Sequence, residues 1–242
     1  MKERRIDLDL EGVEAKIVYH NYEGYDLNTL IVAFRERRRV LSTIDGYRTV
    51  RYVGNNYTPL PLSEETMRHY KRFKRRLPLS LGIRPCDISF LGTGVNMDEL
   101  AVRECSYEEL KVCCLATAGA KGNAMRAGVD GASYIERNGK FVGPLGTINI
   151  ILLTNARLSC GAMARSIVTV TEAKSAALQD LNIKSTYSPN QATGTGTDNV
   201  IVVSARSGKP LLLAGGHTKL GELTGRAAKD AVTEALRKHH GL

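Results

Sequence analysis

The sequence predicts an α+β protein: mixed, largely antiparallel sheets with helices packed on them. Three observations carry this. The first sixty residues hold short strand-favouring segments separated by glycines and polar residues, the mark of antiparallel neighbours. Three helical patterns, near residues 63–76, 160–181 and 219–238, do not alternate regularly with the strands. A short apolar run rich in β-branched residues, Thr147 to Thr154, fits a strand covered on both faces. An α/β/β/α layering is compatible with this order but does not follow from it. With 242 residues, no repeat and no linker-like stretch, residues 1–242 read as one domain.

In chain order, Ala15–His20, Leu30–Phe34, Val40–Ile44 and Tyr47–Val53 are the first expected strands. Thr58–Leu62 reads as an irregular connection. Ser63, followed by Glu64 and Glu65, is expected to cap a basic surface helix ending near Arg76. Asp87–Leu91 is a strand that empties into Gly92-Thr93-Gly94-Val95-Asn96. Glu99–Glu104 and Leu110–Ala116 form a pair, followed by a loop of small residues, Thr117–Gly128. Tyr134–Val142, around Asn138-Gly139, carries the strongest hairpin signal. After Thr147–Thr154 comes a turn, then a helix from Cys160 to about Leu181. A glycine–threonine loop, Ala192–Asp198, leads into Val200–Ala205, which is expected to pair with Pro210–Ala214. Thr218 is the natural N-cap of the last helix, and His239 and His240 are expected to fray beyond it.

The formal charge of +9 is concentrated in Arg35–Arg39 (RERRR) and Lys71–Arg76 (KRFKRR). Neither run has an aromatic-rich RNP-type segment or zinc-finger spacing beside it. They read as solvated faces, and nucleic acid is not an expected partner. The five cysteines are odd in number and form no CxxC, which argues against a disulfide framework and a cysteine metal site. No apolar run is long enough to span a bilayer, and no apolar segment follows the charges of Met1–Gly12. The expectation is a cytoplasmic protein without membrane contact, with room for a homo-oligomer.

Gly92-Thr93-Gly94 and Gly194-Thr195-Gly196 begin like dinucleotide fingerprints, but Met97 and Asn199 stand where a third glycine belongs. Phosphate-loop, HExxH and GxSxG patterns are absent, and no histidines pair at ligand spacing. What remains is polar residues in apolar frames. Asn149 lies inside an apolar strand and Asn155 at its end. Thr171, Glu172 and Lys174 interrupt an alanine-rich helix. Buried polar groups need partners, so such residues beside glycine loops suggest a polar pocket on a rigid scaffold. The loops are Gly92–Asn96, Thr117–Arg126, Ala192–Asp198 and Gly215–Lys219.

Four segments occur in order: TAGAKGNAMRAG (Thr117–Gly128), the stretch GTINIILLTNARLSCGAMARSIVTVTEAKSAALQDLNI (Gly146–Ile183), ATGTGTD (Ala192–Asp198) and GGHTKLGEL (Gly215–Leu223). Together with GTGVN (Gly92–Asn96) they closely resemble the adenosylcobinamide amidohydrolase family of corrinoid salvage, found in archaea and some bacteria. The resemblance is strong from about Asp87 onward and loose before it. It implies hydrolysis of the amide joining aminopropanol to the corrin ring, giving adenosylcobyric acid and 1-aminopropan-2-ol. The cobalt corrinoid would be substrate, with no separate cofactor and no protein-bound metal. A corrinoid- or nucleotide-binding protein without hydrolase activity is the alternative.

Amide hydrolysis needs a nucleophile, donors for the oxyanion and an acid for the leaving amine. On this expectation Asp198 or Glu172 is the base, and His217 or Lys219 protonates the amine. Asn149, Asn123 and the amides of Gly194–Thr197 hold the oxyanion or substrate amides. Thr195 or Thr197 as a covalent nucleophile is the other route. Asn96, Thr117, Arg126, Asn155, Gly194 and Gly196 complete the expected substrate-binding set.

Overall fold

The computed structural model describes residues 2–132 and 147–241, without the side chains of residues 64, 65, 67 and 68. The strands are β1 (Lys2–Ile6), β2 (Val13–Tyr22), β3 (Tyr25–Ser42), β4 (Gly46–Tyr57), β5 (Ile88–Thr93), β6 (Ala101–Tyr107), β7 (Leu110–Ala118), β8 (Ala124–Met125), β9 (Ile148–Thr154), β10 (Gly194–Thr195) and β11 (Asn199–Val203). The helices are α1 (Leu60–Arg68), α2 (Tyr70–Ser80), α3 (Cys160–Asp180) and α4 (Lys219–His240).

Nine strands form one sheet in the order β1-β2-β3-β11-β9-β7-β6, with β4 pairing β3 and β5. The 18-residue β3 is what curls it. Its first half pairs with β2, and its last residues, Val40–Ser42, pair with β11. Between them the ladder to β4 breaks from Ala33 to Arg38. Such an irregularity bends a strand and raises its twist. The two strands expected at Leu30–Phe34 and Val40–Ile44 are therefore one strand. The RERRR run sits on its bend, where Arg37 pairs with Asp87 and Arg39 donates to the Leu158 carbonyl at 2.5 Å.

Three apolar clusters separate four layers. Ile17, Leu30, Val53, Leu115, Ile151 and Ile201 meet between the two halves of the curled sheet. On one outer face Ala116, Ile150 and Val202 pack against α3 and α4. On the other, Val18, Ile31 and Phe90 pack against Leu62 and Leu77 of α1 and α2. Alternate residues of β7, β9 and β11 serve different layers, as the period of two requires. The α/β/β/α layering compatible with the sequence is the one observed, built from one sheet folded on itself.

Several local expectations are corrected. β1 is an edge strand of charged, exposed residues, KERRI, with no apolar alternation to reveal it. The basic helix is two helices. Ser63 lies inside the first, donating to the Leu60 carbonyl at 2.9 Å instead of capping. Pro210–Ala214 is not a strand. It makes only an isolated parallel bridge, Leu211 to Leu158, and leaves Leu212 and Leu213 exposed. His239 and His240 do not fray; α4 runs through both and ends on Gly241 in the left-handed region (φ 69°), where glycine carries no Cβ penalty. The Asn138-Gly139 hairpin lies outside the described residues. No described helix is long and apolar enough to cross a membrane.

Candidate active site

β4, β5, β7 and β9 present Asn55, Gly92, Thr117 and Asn149 to one another at a single end of the sheet. β11 runs parallel to β9, with Asn199 opposite Asn149, so the loop that precedes β11 arrives at the start of β9. That loop ends in Asp198. Its Oδ1 accepts the Ile148 amide at 3.0 Å and the Thr195 hydroxyl at 2.5 Å. Its Oδ2 accepts the Thr195 amide at 3.0 Å and Lys174 Nζ at 2.5 Å. Lys174 reaches it from α3, and the side chains are only 10% and 14% exposed, so this ion pair is largely dry. Breaking such a pair is costly because it strands a charge away from water.

The loop geometry depends on Gly194. A β-carbon there would overlap the Lys174–Asp198 contact, lying 2.6 Å from Lys174 Nζ. The glycine is required by close approach, not by backbone conformation. The short β8–β10 ladder, Met125 opposite Gly194 and Ala124 opposite Thr195, holds the loop in place.

Outward from Asp198 runs a line of hydroxyls. Thr195 Oγ lies 3.4 Å from Thr197 Oγ, which in turn accepts from Asn123 Nδ2 at 3.4 Å. Thr195 and Asn123 are buried, while Gly196 and Thr197 are exposed. Thr147 Oγ donates to the Thr197 carbonyl at 2.6 Å, tying the loop to the start of β9. With Thr195 Oγ donating to Asp198, its lone pairs can receive the Thr197 hydroxyl. The arrangement can draw a proton from a hydroxyl to a carboxylate.

Beside it, Asn149 Nδ2 donates to Asn55 Oδ1 at 2.9 Å and to the Gly92 carbonyl at 2.8 Å. Asn55 Nδ2 donates to Thr117 Oγ at 2.9 Å. Both N–H groups of Asn149 are taken up by the protein. The residue expected to hold an oxyanion instead clamps the two sheet halves together at the mouth, and Thr117 is buried in the same clamp. Of the Gly194–Thr197 amides expected to hold the oxyanion, that of Thr195 is committed to Asp198.

The structure thus gathers Asp198, Thr195, Thr197, Gly194, Gly196, Asn123, Asn149 and Thr117. Arg126 lies at the margin, its guanidinium on the Gln191 carbonyl at 3.1 Å. Asn96 is across the mouth, capping the short turn Met97–Glu99 and accepting from Asn28 at 2.7 Å. Four expected residues are elsewhere. His217 precedes α4, its ring folded over Gly215 near Arg165. The 22 residues of α4 span about 33 Å and its other end is the one at the mouth. Lys219 is bound to Glu222 at 2.6 Å and stacks on Tyr107. Glu172 is exposed and faces Arg165; two residues from Lys174, it points about 200° around the helix. Asn155 is at the opposite end of β9, bonding Glu109 and Lys111 backbone groups.

Four residues at the mouth, Lys174, Asn55, His239 and His240, were not among the expected site residues. Lys174 stood out in its helix but without its partner. Asn55 carried no signal within its strand. His239 bonds Glu99 at 2.6 Å, and His240 Nε2 accepts the Ala120 amide at 3.1 Å. Burial, with help from the His239 and Lys121 charges and against Glu99, pushes His240 down to about 4, so it stays neutral. Burial likewise pushes the core thiols of Cys113 and Cys114 far up. Among the described residues no group of three or more His, Cys, Asp or Glu is placed to hold a metal.

A hydroxyl seated on a carboxylate and backed by an ammonium is equipment for acyl transfer. It points to the class of hydrolases that open amide bonds. The chain belongs to the adenosylcobinamide amidohydrolase family, whose model matches residues 15–242. It is 47% identical over 224 residues to an uncharacterized protein of Methanocaldococcus jannaschii, covering 88% of this chain and 87% of that one. It is 29% identical over 202 residues to the adenosylcobinamide amidohydrolase of Methanosarcina mazei, covering 80% and 82%. Among solved structures it is similar to the L-aminopeptidase D-Ala-esterase/amidase of Ochrobactrum anthropi (10% identity, TM-score 0.47) and to a Burkholderia sp. β-aminopeptidase (11%, TM-score 0.48). Each comparison covers 95% of this chain and 85% of the other.

Proposed function

We propose that this protein hydrolyses the aminopropanol amide of adenosylcobinamide, releasing adenosylcobyric acid and 1-aminopropan-2-ol in corrinoid salvage. Family membership supports the substrate. The observation that carries the chemistry is the Thr195 hydroxyl on Asp198 Oδ1, with Lys174 on Oδ2. Every contact of that carboxylate is already filled by the protein, which favours a side-chain nucleophile over a water activated directly by Asp198.

Thr195 Oγ attacks the carbonyl carbon and its proton passes to Asp198. The backbone amide of Gly196, an exposed residue, supplies the oxyanion donor. The C–N bond breaks as Asp198 passes that proton to the departing nitrogen; water then opens the acyl-threonine ester, its proton returning through Asp198 to Thr195 Oγ. Lys174 fixes the carboxylate so that one oxygen faces the hydroxyl.

The test is incubation of the purified protein with adenosylcobinamide, with and without chelator, followed by mass spectrometry of the small products. Aminopropanol released by the parent and reduced at least a hundredfold in Asp198→Asn is expected. Bound corrinoid with no released amine would favour a binding protein instead.

A further inference from the structure

Amide hydrolysis at the mouth leaves the five cations of Lys71–Arg76 unused. We propose that the outer stripe of α2 docks on an anionic phospholipid leaflet, a peripheral contact separate from the reaction.

α2 has two faces. Phe73 and Leu77 turn inward: Leu77 is fully buried beside Leu62 and Phe90, and Phe73 meets Tyr22 edge to face with ring centres 5.6 Å apart. Lys74 is spent on a carboxylate, paired with the buried Asp45. At about 100° per residue, Lys71, Arg72, Arg75, Arg76 and Leu79 fall within one arc about 140° wide on the other side. All five are exposed. Arg76 is the only one of these four cations with an acidic partner among the described residues, Glu23 at 3.7 Å, and that pair is about half exposed. Such a pair holds little. The nearby carboxylates of Asp45 and Asp87 are buried and already committed, to Lys74 and Arg48 and to Arg37 and Arg84. The stripe therefore keeps its positive charge.

Two observations select the partner. The five side chains frame an open hollow of about 690 Å3, and Leu79 is one of its walls. Leu79 is 53% exposed and lies near the middle of the arc, so an apolar group sits among the cations. A lipid with an anionic head matches both features. The guanidinium and ammonium groups take the headgroup phosphate, and Leu79 meets the apolar boundary behind it. Nucleic acid would use the cations but not the leucine. The stripe also offers no aromatic ring for a base to stack on. Tyr70 lies across the helix from it, with Lys74 over its ring.

The test is co-sedimentation of the full chain with vesicles of phosphatidylcholine, alone or mixed with phosphatidylglycerol. Binding to the mixed vesicles only, weakening as salt is raised, is expected. Each cation held against an anionic leaflet strengthens binding about fivefold. The triple variant Arg72→Gln/Arg75→Gln/Arg76→Gln should therefore lose about a hundredfold, and Leu79→Ser about fivefold. Leu79→Ser serves alone if the triple variant does not fold. No binding to the mixed vesicles, equal binding to both kinds, or full binding by the triple variant would overturn the proposal. Displacement from the vesicles by dilute glycerol phosphate would also overturn it, in favour of a soluble anion. Single-stranded RNA bound equally by the parent and Leu79→Ser, without vesicle binding, would overturn it in favour of nucleic acid.

Discussion

Lys174 Nζ meets Asp198 Oδ2 at 2.5 Å across the bare α-carbon of Gly194. The pair joins α3 to the loop before β11 and orients the carboxylate that holds Thr195. Lys174→Met removes one charge and leaves the other stranded. The expected cost is about 3 kcal/mol of folding stability. A double-mutant cycle with Asp198→Asn should show coupling above about 1 kcal/mol in chemical denaturation. Strict additivity would mean the pair contributes nothing.

Gly194→Ala should be worse for activity than for folding. A methyl group has no room there without parting lysine from aspartate. A destabilisation of about 1–3 kcal/mol is expected, together with near-complete loss of turnover. Unimpaired turnover in this variant would show that the observed ion pair is not the working arrangement.

His217→Ala and Glu172→Ala should each leave kcat/KM within about threefold of the parent, since neither side chain is at the mouth. Asn155→Ala should behave likewise, with any effect confined to stability through the β6–β7 turn it braces.

His240 links the fold to pH. Folded, it is held near 4 by burial and by the neighbouring His239 and Lys121 charges; unfolded, it titrates near 6.5. Between these values the unfolded chain binds more protons. The stability this histidine contributes is present above about pH 6.5 and lost as pH falls toward about 4. Thermal unfolding of His240→Asn should therefore fall less steeply from pH 7 to pH 5 than that of the parent. Parallel curves would contradict the assignment.

Much of the fold was legible because it rests on local patterns. The apolar run of β9, the alanine-rich α3 and the Thr218 cap all declare themselves within a few residues. Asn149 and Asp198 were legible for a related reason, as polar groups placed where burial demands a partner. What the chain does not declare is who the partner is. Asn55 is 94 residues from Asn149 and carries no pattern of its own. Lys174 was conspicuous in its helix, yet only the parallel pairing of β9 and β11 brings Asp198 to it. His217 misled because it follows two glycines, a sound local sign of a site. The length and direction of α4 then place the opposite end at the mouth. His239 was hidden among basic residues that a helix C-terminus favours in any case.

Thr195 and Thr197 divide the roles that one glycine loop presents. Turnover of adenosylcobinamide by Thr195→Ala, beside Thr195→Ser and Thr197→Ala, tests the central claim most directly. The account predicts a loss of at least a thousandfold for Thr195→Ala, a retained acyl-transfer activity for Thr195→Ser, and a loss within about tenfold for Thr197→Ala. Aminopropanol release by Thr195→Ala at the parent rate would contradict it.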